Sequence, residues 1–393
     1  VYKRQVLFLM EFFMIIFLSV MFSAILVLLV HPRLVKIARI KSIVDNPNAR
    51  KLNKEPIPIL GGVGVFFGIF ITVGLFYFHY DCSSLFIVFI AMLLMLFTGV
   101  ADDILNLSPR IKFLLQIVAV CFLIAEGYLL DDLHGLYGIH YLPMGVAYPL
   151  TLIACVGVIN AMNLIDGVDG LASGYGIIVA TICGIVFLQY GDIPYAILAW
   201  ALVGALFPFF MHNVFGRKYK MFIGDGGSLV LGVIFSAFML NILQYEGSNS
   251  LGTYSVSFLM AVLAIPVFDT VRVMLIRIAK KRSPFSADKT HLHHMFIQLG
   301  FSHVLTTLQI ILLNVFVIVL WYITALVWHI SPEIQFLIIF LACLMVTYGI
   351  WHIVSYLEKY RPLLYNRLQQ HIKLHYPQRN KFFLKIQRQL DRL

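Results

Sequence analysis

Apolar residues in this chain come in long unbroken runs, and polar residues are confined to the stretches between them. Runs of about 17–25 apolar residues are long enough to cross a bilayer as helices. On that measure the pattern predicts eleven spans, at 6–30, 58–79, 85–101, 111–130, 145–162, 170–190, 194–211, 227–244, 255–277, 304–328 and 333–355. The runs are continuous rather than alternating, which predicts helices and not a β-barrel. The first run is too long for the apolar core of a signal peptide, and no small-residue cleavage site follows it. The fifth run holds Pro149. The ninth holds Pro266, with Asp269 and Arg272 close behind, so a kink or break is expected there. The predicted fold class is all-α: a polytopic integral membrane protein of about eleven helices over 1–355, followed by a basic amphipathic tail over 356–393. No internal repeat and no separate soluble domain is visible.

Composition sharpens this picture. Of 393 residues 61% are hydrophobic and only 12% charged, with a mean hydropathy of +0.90. A soluble domain of that size needs more polar surface, so lipid is the solvent for most of the chain. Cys82, Cys121, Cys155, Cys183 and Cys343 are scattered through apolar runs without metal spacing and read as buried packing thiols.

Charge then orients the spans. Loops 31–57, 102–112, 212–226 and 272–303 and the tail hold 27 of the 29 Lys and Arg residues, while the alternate loops hold none. By the positive-inside rule the charged loops face the cytoplasm, which puts the N-terminus outside and the tail inside. The tail interleaves apolar and basic residues at helical spacing, as expected of a segment lying on anionic lipid.

The unusual polar clusters all fall on that charged side. Asp102 and Asp103 close the third span, and Lys112 opens the fourth. Asn160-Ala-Met-Asn-Leu-Ile-Asp-Gly-Val-Asp-Gly170 joins the fifth and sixth. Phe222-Ile-Gly-Asp-Gly-Gly-Ser228 opens the eighth, and Ser283-Pro-Phe-Ser286 leads to His291, His293 and His294. Taken singly, each has a structural explanation: a solvated helix end, a capping turn, a glycine turn, a cationic loop. Taken together they suggest chemistry. Adjacent carboxylates hold one proton tightly or gather a cation. The amide of Asn163 with nearby carboxylates is a hard-oxygen set suited to Mg²⁺. Gly226 and its neighbours offer backbone N–H groups to an anion at a helix N-terminus. The histidines, beside Arg277 and Lys289, read better as donors to phosphate oxygens than as zinc ligands. An EF-hand and a Walker A loop are excluded by spacing. Carboxylates, a divalent-cation site and phosphate donors at one edge of a lipid scaffold fit phosphoryl transfer between a soluble nucleotide and a lipid.

With Pro58-Ile-Leu-Gly-Gly62 added, these motifs from about Asp45 to Ser302 resemble the polyprenyl-phosphate N-acetylhexosamine-1-phosphate transferases. The Ser-Pro-Phe-Ser…His-Leu-His-His loop is most similar to that of the bacterial undecaprenyl-phosphate GlcNAc-1-phosphate branch. A relative that uses phospho-MurNAc-pentapeptide has three consecutive histidines where Leu292 interrupts them here. The resemblance implies transfer of a sugar 1-phosphate from a UDP-N-acetylhexosamine to undecaprenyl phosphate with release of UMP, dependent on Mg²⁺, with Mn²⁺ as an alternative ion. It implies Asn163 and Asp225 as metal ligands. It places Lys112, Asp169, Gly226, His294 and the less general Lys54 in substrate binding. Asp102, Asp103, Asp166, Arg277, His291 and His293 fall in the catalytic set, with Asp102 or Asp103 as base or lipid-phosphate positioner. The implied setting is the bacterial inner membrane, with the lipid bilayer as partner, no nucleic acid, and a homodimer as an open possibility. GlcNAc is the first choice of sugar, with other UDP-N-acetyl sugars open. A transporter, which would place its polar groups at mid-membrane, and a non-catalytic scaffold are the alternatives from other classes.

Overall fold

The computed structural model describes residues 2–46, 55–245, 251–284, 290–375 and 381–391; Lys54 and the 285–289 part of the histidine loop lie outside them. A helix occupies each predicted apolar run. They are α1 (Tyr2–Ile40), then a two-stranded antiparallel pair of β1 (Val44–Asp45) and β2 (Ile57–Pro58), α2 (Gly61–Phe76), α3 (Phe86–Leu105), α4 (Pro109–Ala125), α5 (Met144–Ile165), α6 (Leu171–Tyr190), α7 (Ile193–Phe215) and α8 (Gly224–Leu243). There follow α9 (Ser255–Val262), α10 (Ala264–Ala279), the short α11 (Leu292–Gln298), α12 (His303–Tyr322), α13 (Pro332–Leu344), α14 (Ile350–Tyr360), α15 (Pro362–His375) and α16 (Lys381–Leu390).

Among the described residues eight helices are long and apolar enough to cross a membrane, α13 and α14 counting as one continuous helix, and α9 with α10, bent by 65°, makes a ninth if the pair is one span. The chain is therefore a multi-pass helical membrane protein. The other two predicted spans are α2, of 16 residues, and α4, of 17. At 1.5 Å per residue they reach about 24–26 Å, short of a hydrocarbon core of about 30 Å. The N-terminal side of α2 is drawn into backbone pairing instead: Gly61 N–H donates to Phe222 O (3.0 Å) and Gly62 N–H to Ile223 O (2.8 Å). At the other extreme, α1 continues ten residues past its predicted end, carrying Arg33, Lys36 and Arg39 beyond the apolar run.

The core is built around α8, whose span window is wholly buried in protein. It packs against α2, α3, α5 and α6. Close approach relies on small residues. A Cβ at Gly99 or Gly62 would fall less than 3.0 Å from the backbone of the first turn of α8, and one at Gly232 would collide with Ile159. The ninth run breaks at Leu263, not at Pro266, because Pro266 sits in the first turn of α10, where its missing N–H costs nothing. Freed backbone groups need partners in lipid. Asn314 accepts from Ile265 N–H (3.1 Å) and donates to Val262 O (3.2 Å), and the Tyr175 hydroxyl also donates to Val262 O (2.5 Å). Four of the five cysteines are buried, as expected for packing thiols; Cys121 on α4 is exposed, so it faces outward from the bundle.

Candidate active site

The ends of α3, α4, α5 and α8 meet at one side of the bundle. Lys112, in the first turn of α4, is the hub. Its ammonium donates to Asp102 Oδ2 (2.9 Å), to Asn163 Oδ1 (3.4 Å) and to Asp225 Oδ2. Asn163 is oriented by donating its amide to Ser228 Oγ (2.8 Å). Residues from three separate motifs thus converge on one cation.

Asp102 and Asp103 serve different partners. Asp102 holds Lys112 and accepts from Leu107 N–H (2.8 Å), closing the turn after α3. Asp103 accepts from Asp225 N–H (3.1 Å), so it caps the N-terminus of α8. The sequence suggested that this terminus offers open N–H groups to an external anion. In the structure the acceptor there is the side chain of Asp103, and Gly226 lies tight against Gly99 of α3. A side chain at Gly99 would strike the backbone of Gly226.

The next turn bears Asp166 and Asp169. Burial pushes the Asp166 carboxyl well above the usual carboxylate range, and the negative Asp225, Asp103 and Asp169 add to the shift. Asp169 is also buried, which alone would raise it, but His303 and Lys220 outweigh burial and hold it below that range. Lys220 Nζ lies 2.6 Å from Asp169 Oδ2 and His303 Nδ1 lies 3.1 Å from it. Neither partner stood out in the sequence, since a lysine in a basic loop and a histidine at a helix start carry no local signal. Gly170 N–H donates to Asn213 Oδ1 (2.6 Å), which ties the turn to α7.

The histidine loop forms a second layer. His291 Nδ1 lies 2.9 Å from Asp269 Oδ2, and Arg272 donates to Asp269 Oδ1 (2.6 Å) and to Thr290 O (2.6 Å). Asp269 and Arg272 looked only like charges beside a break; they anchor the loop to α10. His293 stacks parallel to His291 with ring centroids 5.7 Å apart, and its Nε2 presses against Gly167. Burial, with His294 and His291 beside it, drives the His293 pKa far down, so this ring is neutral at pH 7. Arg277 donates to Pro284 O (2.7 Å) and is itself buried. Arg277, His291 and His293 are thus buried, while His294 lines open space.

That space is a cleft of about 1790 Å³. Asp102, Asp103, Asp166, Asp169, Asp225 and His294 line it. Arg39, Lys41, Arg217 and Lys220 line it as well, with Asp45 and Glu55. A lining that holds both carboxylates and cations suits a ligand that carries both phosphate and a cation. The donor chemistry fits a hard divalent ion: Asn163 Oδ1 and Asp225 Oδ2 already point at one positive centre, the Lys112 ammonium. Among the described residues no three His, Cys, Asp or Glu side chains are grouped to enclose a metal unaided. Such a set suits Mg²⁺, which is commonly held by one or two protein oxygens plus substrate phosphate.

Comparison with known proteins decides the family. Residues 85–243 match the model of glycosyl transferase family 4. The undecaprenyl-phosphate α-N-acetylglucosaminyl 1-phosphate transferase of Escherichia coli O157:H7 is 32% identical over 338 residues, covering 82% of this chain and 89% of that one. The chain belongs to glycosyl transferase family 4. The E. coli K12 protein of the same description is 33% identical, over 78% of this chain and 83% of its own length. A Bacillus subtilis (strain 168) protein, described as a probable undecaprenyl-phosphate N-acetylglucosaminyl 1-phosphate transferase, is 30% identical over 88% of this chain and 95% of its own. The matched segment of this family 4 member runs from the start of α3 to the end of α8, and so contains Asp102, Asp103, Lys112, Asn163, Asp166, Asp169 and Asp225. The histidine loop and the tail lie beyond it.

Proposed function

We propose that this chain transfers N-acetylglucosamine 1-phosphate from UDP-N-acetylglucosamine to undecaprenyl phosphate and releases UMP. The observation that carries the reading is the convergence of Asp102, Lys112, Asn163 and Asp225 at the end of a membrane bundle whose relatives are described by that reaction. An oxygen of the lipid phosphate attacks the phosphorus that bears the sugar. The bond from that phosphorus to the bridging oxygen breaks, and the electron pair leaves with UMP. Lys112 and Lys220 neutralise charge on the diphosphate, and Asp102 holds Lys112 in place. Asp103 fixes the N-terminus of α8 and with it the position of Asp225. His294 donates to phosphate oxygens from the cleft wall. A Mg²⁺ ion held by Asn163 and Asp225 would supply further charge neutralisation at the diphosphate. The site faces the cytoplasm of a bacterial inner membrane, with the N-terminus outside, since the basic loops cluster at its level.

The test is UMP release by purified protein in detergent, given undecaprenyl phosphate, Mg²⁺ and a panel of UDP-N-acetyl sugars. UDP-N-acetylglucosamine is expected to be turned over fastest, with loss of activity on chelation and recovery with Mg²⁺ or Mn²⁺. Absence of UMP from every sugar would overturn the reading; a transporter releases none.

A further inference from the structure

The basic tail is the one stretch that the reaction above leaves unused, and it does not hang free. On one side α15 is fastened to the loop after α11: Gln369 Nε2 donates to Gln298 O (2.7 Å), and the stem of Lys373 lies so near Gly300 that a Cβ there would meet its Cγ at 3.0 Å. On the other side α16 is fastened to the connection between α7 and α8. Asp391 accepts from the backbone N–H groups of Arg217 (3.1 Å) and Lys218 (2.8 Å), and the rings of Phe383 and Phe215 lie 5.1 Å apart. These anchors sit beside two parts of the cleft lining, residues 300–304 and the group Asn213, Val214, Gly216 and Arg217. Each tail helix therefore lies along the cleft. Lys373, Phe383 and Gln387 line the same space as Asp102 and Asp225.

An amphipathic helix bound to lipid turns its apolar face to the bilayer. Here Phe383 meets Phe215 and Asp391 accepts from protein backbone, so α16 is held to the protein, while Leu363, Leu364, Leu368 and Leu374 of α15 stay exposed. The surface that it adds is cationic at Lys373 and joins Arg39, Lys41, Arg217 and Lys220 in a basic rim. A rim of single positive charges recognises phosphate groups. The lipid phosphate is delivered from the bilayer side, whereas a water-borne substrate must pass the rim.

We propose that α15 and α16 form the outer wall of the sugar-nucleotide site, with Lys373 and Gln387 contacting the diphosphate-bearing ligand. This rests on the transferase reading for the identity of that ligand. UDP is the probe: its binding to the purified full-length protein is measured by calorimetry, and the KM of each substrate by UMP release. K373A is expected to weaken UDP binding and raise the KM for UDP-N-acetylglucosamine about five- to tenfold, the size of one lost charge contact. The KM for undecaprenyl phosphate stays constant. D391A combined with F383A, which frees α16 without touching the lining lysine, is expected to shift both readouts in the same direction and to increase protease cleavage in the tail. K385A, an exposed lysine outside the cleft lining, serves as the control and changes neither. If K373A leaves UDP affinity unchanged, or acts only on the KM for the lipid or on binding to anionic vesicles, the tail is a lipid contact and the proposal falls. Should the wild type bind UDP in a Lys373-dependent way yet release no UMP, the transferase reading fails while the wall stands. A wild type that binds no UDP overturns both.

Discussion

At Asp225 one carboxylate oxygen shares the Lys112 ammonium with Asp102 and Asn163, so charge at this position sets the local balance. Asp225→Asn keeps the shape and removes that charge. Near-complete loss of UMP release is expected, with normal membrane insertion and at most partial rescue by raised Mg²⁺; wild-type turnover at ordinary Mg²⁺ would remove Asp225 from the metal site. The neighbouring pair should respond unequally. Asp103 acts as an acceptor for the α8 N-terminus; an amide oxygen still accepts there but more weakly than a carboxylate, so Asp103→Asn should lower turnover about 10–100-fold, as changes behind a metal site do. Asp103→Ala leaves Asp225 N–H without its partner and should cost more. Recovery by Asn relative to Ala, measured as kcat, distinguishes a cap from a base; a base would lose equally in both. Asp166 supplies a pH test. Its raised pKa means that the folded protein holds a proton that the unfolded chain releases. The associated stability is present below the ordinary carboxylate range and lost as pH rises through the elevated value. In metal-free protein, thermal stability should fall with rising pH across that window, and Asp166→Asn should flatten the profile.

At the scale of elements, the site depends on how closely α3 and α2 approach α8. A methyl at Gly99 would strike the backbone of Asp225 and Gly226. Gly99→Ala should therefore separate the helix ends, with a loss of about 1–3 kcal/mol, as overpacking gives. Activity should fall far more than unfolding temperature suggests, because Asp103 and Asp225 lose their register. The break between α9 and α10 makes a matching case. Asn314 fills it with a donor and an acceptor. Asn314→Leu leaves Ile265 N–H buried and unpaired, and a drop of about 1–3 kcal/mol is expected, read as an earlier unfolding transition in detergent. An unchanged transition would mean that solvent or another side chain takes over the break.

Over the whole molecule, the polar residues of the candidate site lie at the ends of helices rather than midway along them, which separates it from a transport pathway through the bilayer. Thiol labels placed in 131–144 and 245–254 should react from outside the cell and labels in 278–303 from inside. Labelling of both sets from one side would overturn the assignment of spans. The same experiment addresses α2 and α4, whose shortness requires either local thinning of the bilayer or partial burial of their ends.

Much of this protein was legible in the order of its residues. Long apolar runs dictate helices in lipid because no other backbone arrangement satisfies its hydrogen bonds there. The alternation of basic loops orients them, and the Asp102-Asp103, 160–170 and 222–228 motifs pointed to phosphate and metal chemistry by residue type alone. Tertiary structure decided what each group faces. Asp102 and Asp103 are neighbours in the chain, yet one meets Lys112 and the other the N-terminus of α8, since adjacent positions on a helix point about 100° apart. His291 and His293 read as phosphate donors in sequence and prove to be buried against Asp269 and Gly167, because the Asp269–Arg272 pair pulls their loop inward. Lys220 and His303 reached Asp169 only through folding, and the tail is fastened beside the cleft by Gln369 and Asp391, whose partners are far away in sequence. Pattern and composition are local properties and determine where the helices are; partner choice among charges depends on helix ends brought together across the bundle, which no local pattern records.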